Sequence, residues 1–152
     1  MIVIDTSALV EFLVGGDARA DRVRTTASAQ TLAAPHGIDL ECMAALRGLT
    51  RGGRLPEDEA ERALQLLGRM DIRRYEHTPR IWQLRHNMWP HDATYAALAE
   101  LLDVPLMTVD KKFTTVPGLR CPMHLIDCSP QTQGHWRQPR PGRSPSDFSQ
   151  DI

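Results

Sequence analysis

Three things are scarce in this sequence, and each scarcity narrows what the chain can be. Cysteine occurs three times in 152 residues, at Cys42, Cys121 and Cys128. An odd and small number gives no disulfide framework and reads as reduced thiols in a cytoplasmic protein. Long apolar runs are missing: none approaches the roughly 18–20 residues that span a bilayer, so no membrane association is expected. The apolar start, MIVIDTSALVEFLV, has no basic leading segment and carries Asp5 and Glu11, unlike a secretory signal. Excess charge is missing too. Eighteen Lys and Arg against 19 Asp and Glu leave a net charge of −1, so any contact with nucleic acid must come from a local patch. Cys121, His124 and Cys128 offer zinc-ligand types, but MHLID reads as a strand, on which residues three apart face opposite ways. A fourth ligand would have to come from Cys42 or His135, and packing cysteines are the simpler reading.

What the chain does have is alternation. With 41% hydrophobic and 24% charged residues, it reads as one domain with a substantial core. Ile2 to Ile4 form a short strand of the fully buried kind. Thr6 or Ser7 can cap the helix that follows, with Leu9, Phe12 and Leu13 inward. Gly15-Gly16 ends it, and Asp17 starts a second helix to about Ala27. TLAAP, residues 31–35, is a strand. GIDLECMAALRGLTRGG predicts a helix with Leu40, Met43, Ala44, Leu46 and Leu49 inward, stopped at Gly52-Gly53. Pro56 before an acidic turn opens the next helix, with Ala60, Ala63, Leu64 and Leu67 on one side. DIRRY is a short strand, residues 79–88 a helix, and HDATYAALAELLD an amphipathic helix ending near Asp103. VPLMTVD and MHLID complete the strands. This order predicts a three-layer α/β/α fold with a mainly parallel sheet over residues 1–128. Residues 129–152 are rich in Pro, Ser, Gln and Arg and read as a disordered tail; its Arg137, Arg140 and Arg143 need no role beyond solvation.

Two strands run straight into aspartate, at Asp5 and Asp110. Carboxyl ends of parallel strands are where α/β proteins build sites. Asp92 opens the helix after Pro90, and Glu41 lies in the first turns of the helix after TLAAP, so one sheet edge can gather all four acids. Singly, each has a structural use: strand-end caps for Asp5 and Asp110, a helix N-terminus for Asp92, an exposed face for Glu41. Together they need a cation, because like charges about 4 Å apart repel by roughly 4 kcal/mol at an effective dielectric near 20. Otherwise some must be protonated. Oxygen ligands suit Mg²⁺ or Mn²⁺.

IVIDTSALVEFL, APHGIDLECMAALR and HDATYAALAELLDVPLMTVDKKF together resemble the successive signature segments of PIN-domain ribonucleases of the VapC toxin type, over about residues 1–127. The resemblance implies that Asp5, Glu41, Asp92 and Asp110 are the catalytic acids that bind metal, with Ser7 and Thr108 as polar supports behind them. His91 stands where the family often has Tyr. The implied activity is Mg²⁺-dependent endonucleolytic cleavage of structured RNA, of the tRNA or rRNA class, leaving 3′-hydroxyl and 5′-phosphate ends. The implied partners are a cognate antitoxin, a second copy in a homodimer, and a higher toxin–antitoxin assembly. Arg47 and Arg51, one helical turn apart, with Arg54 beyond, and Arg80, Arg85 and His86 on another helix, are RNA-contact candidates, as is His91. Solvated helix faces explain the same residues. Phe12, Leu13 and Trp82 serve either a partner surface or the core. Two other functions are weighed. A haloacid-dehalogenase-like phosphatase also starts with a strand ending in Asp, but wants a second Asp two residues on, where this chain has Ser7. A catalytically silent PIN-like binding module would not need all four acids.

Overall fold

Short apolar runs of small and β-branched residues make strands here because helices cover the sheet. In the computed structural model, which describes residues 1–76 and 78–127, the strands are β1 (Ile2–Ile4), β2 (Leu32–Pro35), β3 (Ile72–Tyr75), β4 (Leu106–Thr108) and β5 (Met123–Leu125). The expected tail, 129–152, and Cys128 lie outside the described residues. The sheet order is β3-β2-β1-β4-β5, and every pairing is parallel. Val3 of β1 stands opposite Ala33 on one side and Leu106 on the other, all fully buried. The flanking helices are α1 (Thr6–Val14), α2 (Ala18–Ser28), α3 (Ile38–Arg51), α4 (Glu57–Leu67), α5 (Arg80–Gln83) and α6 (Pro90–Leu102). Buried Ala93, Ala96 and Ala99 let α6 lie close against β1, β2 and β4. Among the described residues, no helix is long and apolar enough to cross a membrane.

This strand order positions the site. The chain steps outward from β1 to β3, then returns past β1 to add β4 and β5. The reversal falls between β1 and β4, and the segments leaving their carboxyl ends diverge to open a crevice.

Four details depart from the sequence reading. Neither Thr6 nor Ser7 caps α1; Asp5 does, its Oδ1 accepting from the Ala8 amide at 2.8 Å. Helix α3 is rotated from its expected face. Leu40 is 72% exposed and Met43 46%, and Ala44 is also exposed; Leu46 is buried as expected, but together with Ile38 and Cys42. Leu49 is half-buried against the core. Both stripes are apolar, and polar partners select between them: in the observed rotation Asp39 meets Arg74 at 2.6 Å, and Glu41 meets Thr6 at 2.8 Å. The helix expected over 79–88 is a single turn, Arg80–Gln83. Leu84 then drops into the core, Asn87 donates to the Pro117 carbonyl at 3.0 Å, and Pro90 holds Trp89 extended. Finally, α6 takes in Pro90, ahead of the expected HDATYAALAELLD, since proline is preorganised for a first helical turn.

Gly15 is required at the corner between α1 and α2. A Cβ there would meet the Glu11 carbonyl oxygen at 2.5 Å and the Ala20 Cβ at 2.7 Å. Cys42 and Cys121 are buried free thiols. Burial, and then the negative charge of Asp39, push the Cys42 thiol up to about 11, so it packs as an apolar side chain.

Candidate active site

The crevice between β1 and β4 is a cleft of about 510 Å³, and Asp5, Asp92, Asp110 and Lys112 all line it. Asp5 reaches it because β1 ends there, and it is only 3% exposed. Thr108 Oγ1 donates to Asp5 Oδ2 at 2.6 Å. Ser7 Oγ lies 2.8 and 3.0 Å from the two carboxylate oxygens. Thr108 Oγ1 also accepts from the Asp110 amide at 2.9 Å, so one hydroxyl joins the two strand ends. Burial holds the Asp5 carboxyl above its ordinary pKa. Bonds from Thr108, Ala8 and Ser7 oppose that shift, and the negative charge of Asp110 adds to it.

Asp110 caps a short 3-10 helix, Lys111–Thr115, its Oδ1 accepting from the Lys112 amide at 2.9 Å. That turn brings the Lys112 side chain back over the cleft. Its ammonium lies 3.0 Å from Asp92 Oδ2 and 3.1 Å from Asp110 Oδ2. Partial burial pulls the ammonium pKa down, but the two carboxylates outweigh this and hold it above its ordinary value.

Glu41 stands to one side and lines a neighbouring, mainly apolar groove of about 530 Å³. Its Oε2 accepts from Thr6 Oγ1 and from Tyr95 OH, each at 2.8 Å, and those hydroxyls are 2.7 Å apart. Two protons thus serve three contacts, and the carboxylate is pinned. Burial above all raises the Tyr95 phenol; Thr6 opposes this and the Glu41 charge adds to it. His91 Nδ1 lies 3.4 Å from Glu41 Oε1.

The fold therefore brings Asp5, Asp92 and Asp110 to one cleft, with Ser7 and Thr108 bonded to Asp5 and Glu41 adjacent. The donors are hard oxygens, the type that holds Mg²⁺ or Mn²⁺, and Lys112 supplies a cation between two of them. The acids do not converge on one point: among the described residues, no three His, Cys, Asp or Glu side chains are arranged to hold an ion. Of the RNA-contact candidates, Arg54 lines the cleft. Arg85, stacked 4.9 Å from the Trp82 ring centroid, and His91 line the groove. Arg47 and Arg51 lie exposed along α3, away from the lining. Arg80 is committed elsewhere, to Glu100 at 2.6 Å. Sequence reasoning missed Lys112 and Tyr95, and took Thr6 only for a cap. The available signals were proximity: Lys112 follows Asp110 by two residues, and Tyr95 follows Asp92 by one helical turn.

An acidic crevice at the switch point of a wholly parallel sheet is a place where α/β enzymes build a site, and the PIN domain family model matches residues 2–119. The chain belongs to the PIN-domain family. Ribonuclease VapC1 of Mycobacterium tuberculosis is 40% identical over 128 residues, covering 82% of this chain and 96% of that protein. The fold is shared with PAE2754 from Pyrobaculum aerophilum, at TM-score 0.61 and 23% identity over 83% of this chain and 82% of that one. It is shared also with Mycobacterium tuberculosis VapC20, described as a Sarcin-Ricin loop cleaving toxin, at TM-score 0.57 and 20% identity over 75% and 93%. Within the family, the chain is a ribonuclease of the VapC toxin type, an enzyme that hydrolyses RNA phosphodiester bonds.

Proposed function

We propose that this chain is a Mg²⁺-dependent endoribonuclease toxin that cuts structured RNA of the tRNA or rRNA class and is neutralised by a cognate antitoxin. Mn²⁺ can replace Mg²⁺ in this reading, since both take oxygen ligands. The observation that carries it is the delivery of Asp5 and Asp110, by adjacent parallel strands, to one cleft with Asp92. Asp5 and Asp92 would hold the ion directly, and Asp110 and Glu41 a second ion or the waters around it. Bound there, the ion supplies an activated water and positive charge for an in-line displacement. The protein's part is orientation. Ser7, Thr108 and the Ala8 amide fix the direction of the Asp5 carboxylate, and Thr6 and Tyr95 fix that of Glu41. Cleavage leaves 3′-hydroxyl and 5′-phosphate ends.

Arg54 at the cleft, Arg85 and His91 at the groove, and Arg47 and Arg51 along α3 are the groups for the RNA backbone. RNA of this class is read at exposed loops and unpaired junctions, and the loop-cleaving description of VapC20 supports that choice. Protein partners are supported by exposed apolar side chains at and beside the groove, Leu40, Met43 and Trp82. That surface suits an antitoxin segment and a second copy of the chain, in a homodimer or a larger toxin–antitoxin assembly in the cytoplasm. Incubation of the purified chain with total RNA, followed by mapping of new 5′ ends, tests the reading. Discrete cuts in structured RNA, carrying 5′-phosphates and abolished by EDTA, are expected. Undiminished cleavage in EDTA, or no Mg²⁺-dependent ends, would overturn it.

A further inference from the structure

Lys112 bridges two of the acids that line the cleft. Its ammonium lies within 3.1 Å of both Asp92 and Asp110, two carboxylates that come from separate elements. Each contact is a charge-assisted hydrogen bond, so the lysine offsets the repulsion between the acids. An ammonium held this way and a divalent cation held by the same oxygens exclude one another by position and by charge. The lysine also has somewhere to go. Its side chain is 54% exposed, its four-carbon stem is flexible, and the Phe113 ring centroid stands 5.7 Å from Nζ.

We propose that Lys112 is a built-in competitor for the metal: it holds Asp92 and Asp110 together in the metal-free protein and must be expelled before a divalent ion binds. The proposal rests on the reading that Asp92 holds the ion and Asp110 a second ion or the waters around it. It makes the metal affinity of the site depend on this lysine, a residue that coordinates nothing itself. Two contributions act in the same direction. Removing the positive charge destabilises the metal-free site and removes a repulsion from the metal-bound one, so both tighten metal binding.

Calorimetric titration of the full chain with Mn²⁺ alone, without RNA, tests this in wild type, Lys112→Met, Lys112→Gln and Asp92→Asn. Both neutral lysine variants are expected to bind Mn²⁺ more tightly than wild type, by about tenfold, and Asp92→Asn to lose binding. In EDTA the lysine variants should melt below wild type, and saturating Mn²⁺ should close that gap. Unchanged or weaker binding in the lysine variants, with binding lost in Asp92→Asn, overturns the competitor role and leaves the acidic site standing. Binding that survives Asp92→Asn, or is absent throughout, overturns both. Two neutral side chains of different polarity keep the comparison sound if one folds poorly.

Discussion

Burial of the Asp5 carboxylate works against the fold, even with three groups donating to it. Its folded pKa is raised, so the folded chain binds more protons than the unfolded one between the unfolded value, about 3.9, and the higher folded value. Stability therefore falls as pH rises through that window, and the penalty is complete above it. Asp5→Asn keeps an acceptor for the Ala8 amide and removes the charge, while Thr108 Oγ1 can turn to accept from the new amide. In EDTA at neutral pH this variant is expected to melt above wild type, by about 2–4 °C for a domain of this size. The gain should shrink as the pH approaches the unfolded Asp value; scanning fluorimetry across pH checks both. Asp5 and Asp110 were legible in the sequence because a carboxylate ending an apolar strand is conspicuous. Tyr95 was not, since it lies among the buried residues of α6 and its hydroxyl partner, Glu41, is 54 residues away. Lys112 was not, because its reach depends on the 3-10 turn after Asp110.

Helix α6 is anchored at its far end by a single carboxylate. Glu100 accepts from Arg80 Nε at 2.6 Å and from the Arg120 amide at 2.9 Å, and Arg80 also donates to the Gly118 carbonyl at 2.8 Å. These bonds tie α6 to α5 and to the segment leading into β5. Burial alone would raise the Glu100 pKa, but the Arg80 and Arg120 bonds and the two arginine charges outweigh it and hold the carboxyl below its ordinary value. A depressed folded pKa contributes stability above the unfolded value, about 4.3, and loses it as pH falls through the folded one. Glu100→Gln is expected to lower unfolding free energy at pH 7 by about 1–2 kcal/mol. That deficit should disappear in acid, and urea titrations at neutral and low pH measure it. Elements with one clear apolar stripe, such as α4, were readable from periodicity. Helix α3 was not, because it carries two apolar stripes and its rotation is set by Arg74 and Tyr95, partners far away in the chain. Nor was the short α5, whose end is fixed by Asn87 and Pro117.

For the whole molecule, alternating strands and helices foretold a parallel α/β fold, but not the order β3-β2-β1-β4-β5. Alternation says which segments are strands; their neighbours depend on which side of β1 each returning chain packs. That choice puts the reversal beside Asp5 and makes the crevice. The proposed reaction needs both Asp5 and Asp92, although they come from a strand end and a helix start 87 positions apart in the sequence. The decisive comparison is cleavage of one mapped RNA, with Mg²⁺, by wild type, Asp5→Asn and Asp92→Asn, each first shown to be folded by a cooperative melt. Both variants should lose cleavage by about 100-fold or more, as expected when a group stabilising transition-state charge is removed. A folded Asp5→Asn or Asp92→Asn variant that cuts at the wild-type rate would show that the chemistry lies elsewhere.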